Sequence, residues 1–249
     1  MLVKPMAAYL GLDVISTRGR YSQDGVFTIH NDHFRREPEF RRAYARGVKA
    51  SAGFDPQFEW RVHTALWAGR AALGAEGDFV ECGVNAGFMS SAIMESLDWN
   101  SVGRKFFLID TFVGPVLSQY SQEEVATDRR GIAERTIAEG GYVTDLDRIR
   151  ANFAEWPSAI VTPGAVPEIL QKTSFDKVAF LHIDMNCARP EQAALEFFWD
   201  KLSPGAIVLF DDFAYTGYEE QQKTLAAVAA ARGHVILSVP TGQGILIKK

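Results

Sequence analysis

The sequence predicts an α/β protein with a mostly parallel seven-stranded sheet, its last strand antiparallel, and helices on both faces. Three observations carry that expectation. Seven apolar runs of strand length alternate with helical segments, the pattern of repeated strand–helix units. One run, Val178 to Ile183, is almost continuously apolar, as burial on both faces requires. The last two runs, Val235 to Val239 and Ile245 to Ile247, stand too close for a helical crossover and read as antiparallel neighbours.

The elements follow in order. Residues 1–55 read as an irregular N-terminal extension, a candidate lid, and residues 56–249 as a single domain. Asp55-Pro56 has the form of an N-cap and first-turn pair, opening a helix that carries Phe58, Val62, Leu66 and Leu73. Asp78 to Cys82 reads as a first strand, followed by a helix from about Gly87 to Leu97. Lys105 to Ile109 and the weaker Ala159 to Val161 are the next strands. Between them lies an insertion at about 113–156, partly helical because Ser121-Gln122-Glu123-Glu124 has capping-box spacing. Val178 to Ile183 comes next, then a helix opened by Pro190 and running to Trp199. A strand from Ala206 to Phe210 precedes an Ala-rich helix from about Tyr218 to Arg232, stopped by Gly233.

Composition narrows the function. Hydrophobic residues at 47% and charged residues at 23% permit a substantial core. A net charge of -5 disfavours nucleic acid, which is bound through excess Lys and Arg, and leaves a small molecule as the expected partner. Cys82 and Cys187 form no CxxC pair, so a cysteine-built zinc site and a disulfide framework are not expected. Met1 to Leu12 lacks the pattern of a signal peptide, and no stretch reaches the roughly 20 apolar residues of a membrane helix. A soluble cytoplasmic protein with no membrane partner is expected, and a homo-oligomer is left open.

The strand ends carry the chemistry. Glu81-Cys82-Gly83-Val84-Asn85-Ala86-Gly87 brings two glycines to a strand-to-helix turn, where the backbone can pass close to a ligand and present free N–H groups. Glu81 could accept from an ammonium group, which suits the amino-acid end of S-adenosylmethionine (SAM). Asp110, ending the next strand, can hold the two hydroxyls of a ribose. That spacing would equally suit NAD, but the full GxGxxG pattern is absent. A nucleoside cofactor is expected, SAM ahead of NAD. Asp184 and the pair Asp211-Asp212 end two further strands. If those strands are neighbours, three carboxylates converge, and an oxygen-only set selects a hard cation such as Mg²⁺. His182 reads as a core histidine, and Tyr215 and Tyr218 either line the pocket or pack within their loop.

Together these residues resemble the macrocin-type O-methyltransferases, metal-dependent members of the class I SAM-dependent methyltransferases with a Rossmann-like fold. The resemblance covers roughly Phe58 to the C-terminus. It rests on Gly77 to Val84, Ile109 to Gly114, Leu181 to Asp184, Leu202 to Phe213 and Gly164 to Leu170. It implies methyl transfer from SAM to a hydroxyl of a small molecule, such as a sugar on a natural product. Glu81, Gly83, Val84, Asn85 and Gly87 would then hold the methionine end of SAM. Asp110, Thr111 and Phe112 would hold the nucleoside, with Gly164 and Ala165 beside it. Asp184, Asp211 and Asp212 would bind the metal, and Asp184 is also the candidate general base. The sequence departs from this pattern at Asn186, where an acid is common, and at Met89, where a small hydroxyl residue is common; Ser90 is the substitute expected there. An NAD-dependent oxidoreductase and a non-catalytic SAM-binding protein are the alternatives.

Overall fold

The computed structural model describes residues 20–249, together with Tyr9 and Arg18. The remainder of the N-terminal segment, including the residues weighed as a signal peptide, lies outside the described residues. Seven strands form the main sheet: β3 (Asp78–Cys82), β4 (Phe106–Asp110), β5 (Ala159–Pro163), β6 (Val178–Ile183), β7 (Leu202–Phe210), β8 (Leu237–Ser238) and β9 (Gly244–Ile247). Their spatial order is β5-β4-β3-β6-β7-β9-β8, with β9 antiparallel to both of its neighbours and the pairs from β5 to β7 parallel. This is the expected sheet.

Helices cover both faces because neighbouring strand residues point to opposite sides. Phe106 packs with Phe79, Trp99 and Phe180 on one face. Its neighbour Phe107 meets Phe175, which packs edge-to-face with Phe198 of α8 (Ala188–Phe198), on the other. Helix α2 (Glu59–Ala72) lies on the Phe79 side, where Gly69 faces the Phe79 ring.

Several boundaries differ from the sequence reading for identifiable reasons. Helix α2 begins at Glu59 because the Asp55 carboxylate accepts from the Gln57 N–H and the Tyr44 hydroxyl, making a local turn and not a helix cap. Strand β7 begins at Leu202, since Pro204 and Gly205 are absorbed in an irregularity of the β6–β7 register. Strand β8 shrinks to Leu237–Ser238, and Val235 is exposed. Helix α8 starts two residues before Pro190, which occupies its first turn.

From residue 20 onward the extension is not irregular. An antiparallel hairpin pairs β1 (Tyr21–Gln23) with β2 (Val26–Thr28) through Asp24-Gly25, both with positive φ. Helix α1 (Pro38–Ala50) follows, burying Phe40, Ala43, Gly47 and Ala50 against α3 (Phe88–Ser96). Gly47 permits this approach, because a β-carbon there would collide with the Phe88 ring. Arg46 of α1 also reaches Glu155 at 2.9 Å and the Asn152 side-chain oxygen at 2.8 Å, at the end of the insertion.

The insertion is mostly ordered as helices: α5 (Gln122–Ala126), α6 (Arg129–Ala138) and α7 (Leu146–Phe153), with a short α4 (Trp99–Val102) preceding it. Both halves of the expected capping box form at Ser121 and Glu124. Glu124 is buried, and its other oxygen accepts from the Ala188 N–H at 2.8 Å, so one carboxylate caps α5 and the start of α8.

Two outcomes follow. Gly47→Val destabilises the chain by on the order of 1–3 kcal/mol through overpacking, read as a lower thermal midpoint. Glu191, buried in α8, accepts from the Met185 N–H at 3.0 Å and the Gln221 amide at 2.9 Å, fastening α8 to α9 (Glu219–Ala230). Burial pushes its pKa up to about 8. The folded state therefore holds this proton where the unfolded chain releases it, and the associated stability is lost as pH rises through that value. Chemical denaturation of Glu191→Gln between about pH 5 and pH 8 shows a flatter pH dependence than the wild type.

Candidate active site

The strand order reverses between β4 and β6 about the central β3, and the C-terminal ends of these strands form the sheet's crevice. The turns leaving β3 and β6 press together there. Gly83 has φ of 94°, and a β-carbon on it would strike the Asp184 carbonyl. Only glycine satisfies both demands.

Asp110, at the end of β4, clamps this rim. One carboxylate oxygen accepts from the N–H groups of Val84 at 2.7 Å and Asn85 at 2.8 Å; the other accepts from the Phe112 N–H at 2.7 Å. An ionised carboxylate has about four acceptor sites, so with three N–H groups bound one remains for a ligand's hydroxyl. Asn85 in turn accepts from the Val143 N–H at 2.9 Å, joining the insertion to the same turn.

A cavity of about 120 Å³ opens between these turns and the insertion. Of the sequence-expected cofactor residues, Gly83, Asn85, Asp110, Thr111 and Gly164 line it, together with Asp184. Tyr142 and Gln119 of the insertion complete the wall. Val84 and Phe112 stand behind it as donors to Asp110, and Gly87 is the left-handed N-cap of α3. Ala165 is off the wall, and Ser90 is fully buried inside α3.

Glu81 is the largest departure from the expectation. It shares a strand face with Phe79, so its buried carboxylate turns away from the cavity and meets His182 Nδ1 at 2.8 Å. Its second oxygen has no hydrogen-bond partner among the described residues. His182 Nε2 lies 3.7 Å from Asp211. Burial favours the neutral ring, but the carboxylates of Asp211 and Glu81 outweigh it and push the His182 pKa up to about 10.

Asp184, Asp211 and Asp212 converge as expected, each offering an oxygen within 4.8 Å of the others. Neighbouring parallel strands β6 and β7 bring them together. The sequence reading missed the cation among them. Arg61 of α2 donates to Asp211 at 2.6 Å and Asp212 at 3.1 Å, and pairs with Asp24 of the hairpin turn at 3.2 Å. Gln243, fully buried in the β8–β9 turn, donates to the remaining Asp211 oxygen at 2.9 Å.

These contacts divide the acids. Burial alone would raise Asp211, but Arg61 and then His182 hold it below the usual carboxylate range. Burial and the neighbouring Asp211 push Asp212 up to about 6. Burial, with Asp211 and Asp212 beside it, raises Asp184 well above the usual range. The Arg61 ion pairs reach Asp211 and Asp212, and the three gathered carboxylates make an oxygen-only set that suits a hard cation. Tyr215 turns to Arg61, whose guanidinium carbon lies 5.3 Å from its ring centroid, and Tyr218 bonds to Asn186 beside Asp184.

The sequence reading missed the Asp24-Gly25 hairpin as well, and Arg61 sits on an apolar helix with no signal of its role. Neither Gln243 nor Tyr142 belongs to a motif.

Comparison with known proteins agrees with this architecture. The chain is 28% identical over 153 residues to the 8-demethyl-8-(2,3-dimethoxy-alpha-L-rhamnosyl)-tetracenomycin-C 4'-O-methyltransferase of Streptomyces olivaceus, covering 57% of this chain and 55% of that enzyme. The chain thus matches about half the length of this relative. Among solved structures, the O-methyltransferase NovP superposes with a TM-score of 0.63 at 18% identity, covering 82% of this chain and 88% of that one. The calicheamicin methyltransferase CalS11 gives 0.59 at 15%, covering 94% and 97%. At these identities the likeness is one of fold. The family model for Macrocin-O-methyltransferase (TylF) matches residues 68–232, more than half of the sequence and the span that holds β3 to β7 with every rim acid. On that match the chain belongs to the macrocin-O-methyltransferase (TylF) family.

Proposed function

We propose that this chain is a SAM-dependent O-methyltransferase acting on a hydroxyl of a sugar-bearing small molecule, with Mg²⁺ as its metal. One observation carries the reading: the ends of β3, β4, β5 and β6 open onto one cavity that the acid cluster adjoins through Asp184. Family membership supports it over the nicotinamide alternative. The rhamnosyl substrate in the name of the Streptomyces olivaceus relative supports a glycosylated acceptor.

In this reading SAM supplies a methyl group on a sulfonium. Asp110 accepts from a ribose hydroxyl, while the turn at Gly83 and Asn85 lets the backbone approach the rest of the cofactor. Glu81 keeps a supporting role: through His182 it fixes Asp211, and so acts behind the site and not at an ammonium group. Asp184, Asp211 and Asp212 would hold the divalent cation, which would supply positive charge that eases deprotonation of the acceptor hydroxyl. Asp184, the acid of the cluster that lines the cavity, takes the proton. Tyr142 and the insertion exclude water from the cavity, and alignment of the reacting groups contributes several kcal/mol by itself.

Two measurements test this. Calorimetric titration finds binding of SAM and none of NAD, and Asp110→Ala weakens SAM binding at least tenfold. Asp211→Ala combined with Asp212→Ala abolishes methylation of p-nitrophenyl α-L-rhamnoside while SAM still binds. Full activity of that variant, or of the wild type in excess EDTA, removes the metal from the reaction.

A further inference from the structure

We infer that Asn186, Tyr218 and Arg129 form a positioning chain that sets the Asp184 carboxylate, with the insertion at its far end. The inference rests on the proposed role of Asp184 at the acceptor hydroxyl. Asn186 follows β6 with a left-handed backbone, φ 57°, which Asn tolerates better than most residues. Its amide nitrogen donates to Asp184 at 3.2 Å, and its amide oxygen accepts from the Tyr218 hydroxyl at 2.7 Å. The reverse orientation would set two acceptors face to face whenever Asp184 is ionised. Asp184 therefore sets which way the amide points, and the Tyr218 hydroxyl holds the oxygen end that results.

Tyr218 is held in its turn. The guanidinium carbon of Arg129 lies 3.6 Å from its ring centroid, and the buried Nε of Arg129 has no hydrogen-bond partner among the described residues. The ring is the contact that organises this cation. Arg129 opens α6, so the insertion touches the reacting carboxylate through two intervening side chains. The chain also has an electrostatic logic. Asp211 and Asp212 already share the Arg61 guanidinium, and a neutral amide orients Asp184 without adding a further negative charge to the cluster.

Tyr218→Phe keeps the ring beneath Arg129 and removes only the hydroxyl. With p-nitrophenyl α-L-rhamnoside as acceptor, this variant loses about tenfold in kcat, the worth of about one hydrogen bond. Its KM for SAM and its thermal midpoint are unchanged. Asn186→Ala loses at least as much, and the double variant loses no more than Asn186→Ala alone, as members of one chain must. Arg129→Gln lowers kcat in the wild-type background and has no effect in Asn186→Ala. Independently of turnover, the Asn186 side-chain amide signal, assigned by its disappearance in Asn186→Ala, shifts in the NMR spectrum of Tyr218→Phe. An unmoved signal, additive losses, or wild-type kcat in Tyr218→Phe overturns the chain. Full activity in Asp184→Asn instead overturns the proposed role of Asp184, whatever the amide signal does.

Discussion

Three carboxylates cannot be gathered at the ends of two adjacent buried strands without a counter-charge, and Arg61 provides it. Much of the molecule around the site can be understood as holding that guanidinium in place. Helix α2 carries it, the β1–β2 hairpin offers Asp24 to its open edge, and Tyr215 covers it. Gln243 and His182 then occupy the side of Asp211 that Arg61 leaves. A site that reads as acidic in sequence is in space a mixed cluster. Asp211 is its most stabilised anion, and Asp184 is the group that binds a proton most readily.

The division of labour among the acids follows from strand geometry. Asp184 and Asp211 leave neighbouring parallel strands whose registers align Ile183 with Phe210. Asp184 opens toward the cavity, whereas Asp211 turns down to the Arg61 side, where Glu81 and His182 form a buried polar row beneath the sheet's rim. Hydrogen-bonded buried rows of this kind are costly to leave half made, which explains why their members are spread over β3, β6, β7 and α2 and not confined to one motif.

The sheet, its antiparallel last strand and the acid triangle were legible because each depends on local pattern: continuous apolar runs, short connections, and acids at strand ends. Asp110 and Gly83 were legible for the same reason, as residues of a strand-to-helix turn. Glu81 misled because sequence places it at a strand end but does not say which face it points to; its alternation with Phe79 turns it from the cavity. The hairpin and α1 were missed because their apolar residues are sparse and their burial is against distant partners, α2 for the hairpin and α3 for α1. Arg61, Gln243 and Tyr142 were invisible because their roles come from the chain's path in space, with no spacing to betray them.

The clamp at Asp110 has a consequence for how a nucleoside would be received. Because the carboxylate already fastens the turns on either side of it, the entropy of ordering those loops is surrendered when the chain folds, before any ligand arrives. Recognition then proceeds against a wall that is stiff from the outset. Complexes formed on such a wall depend less on loop closure than on the fit of the ligand itself.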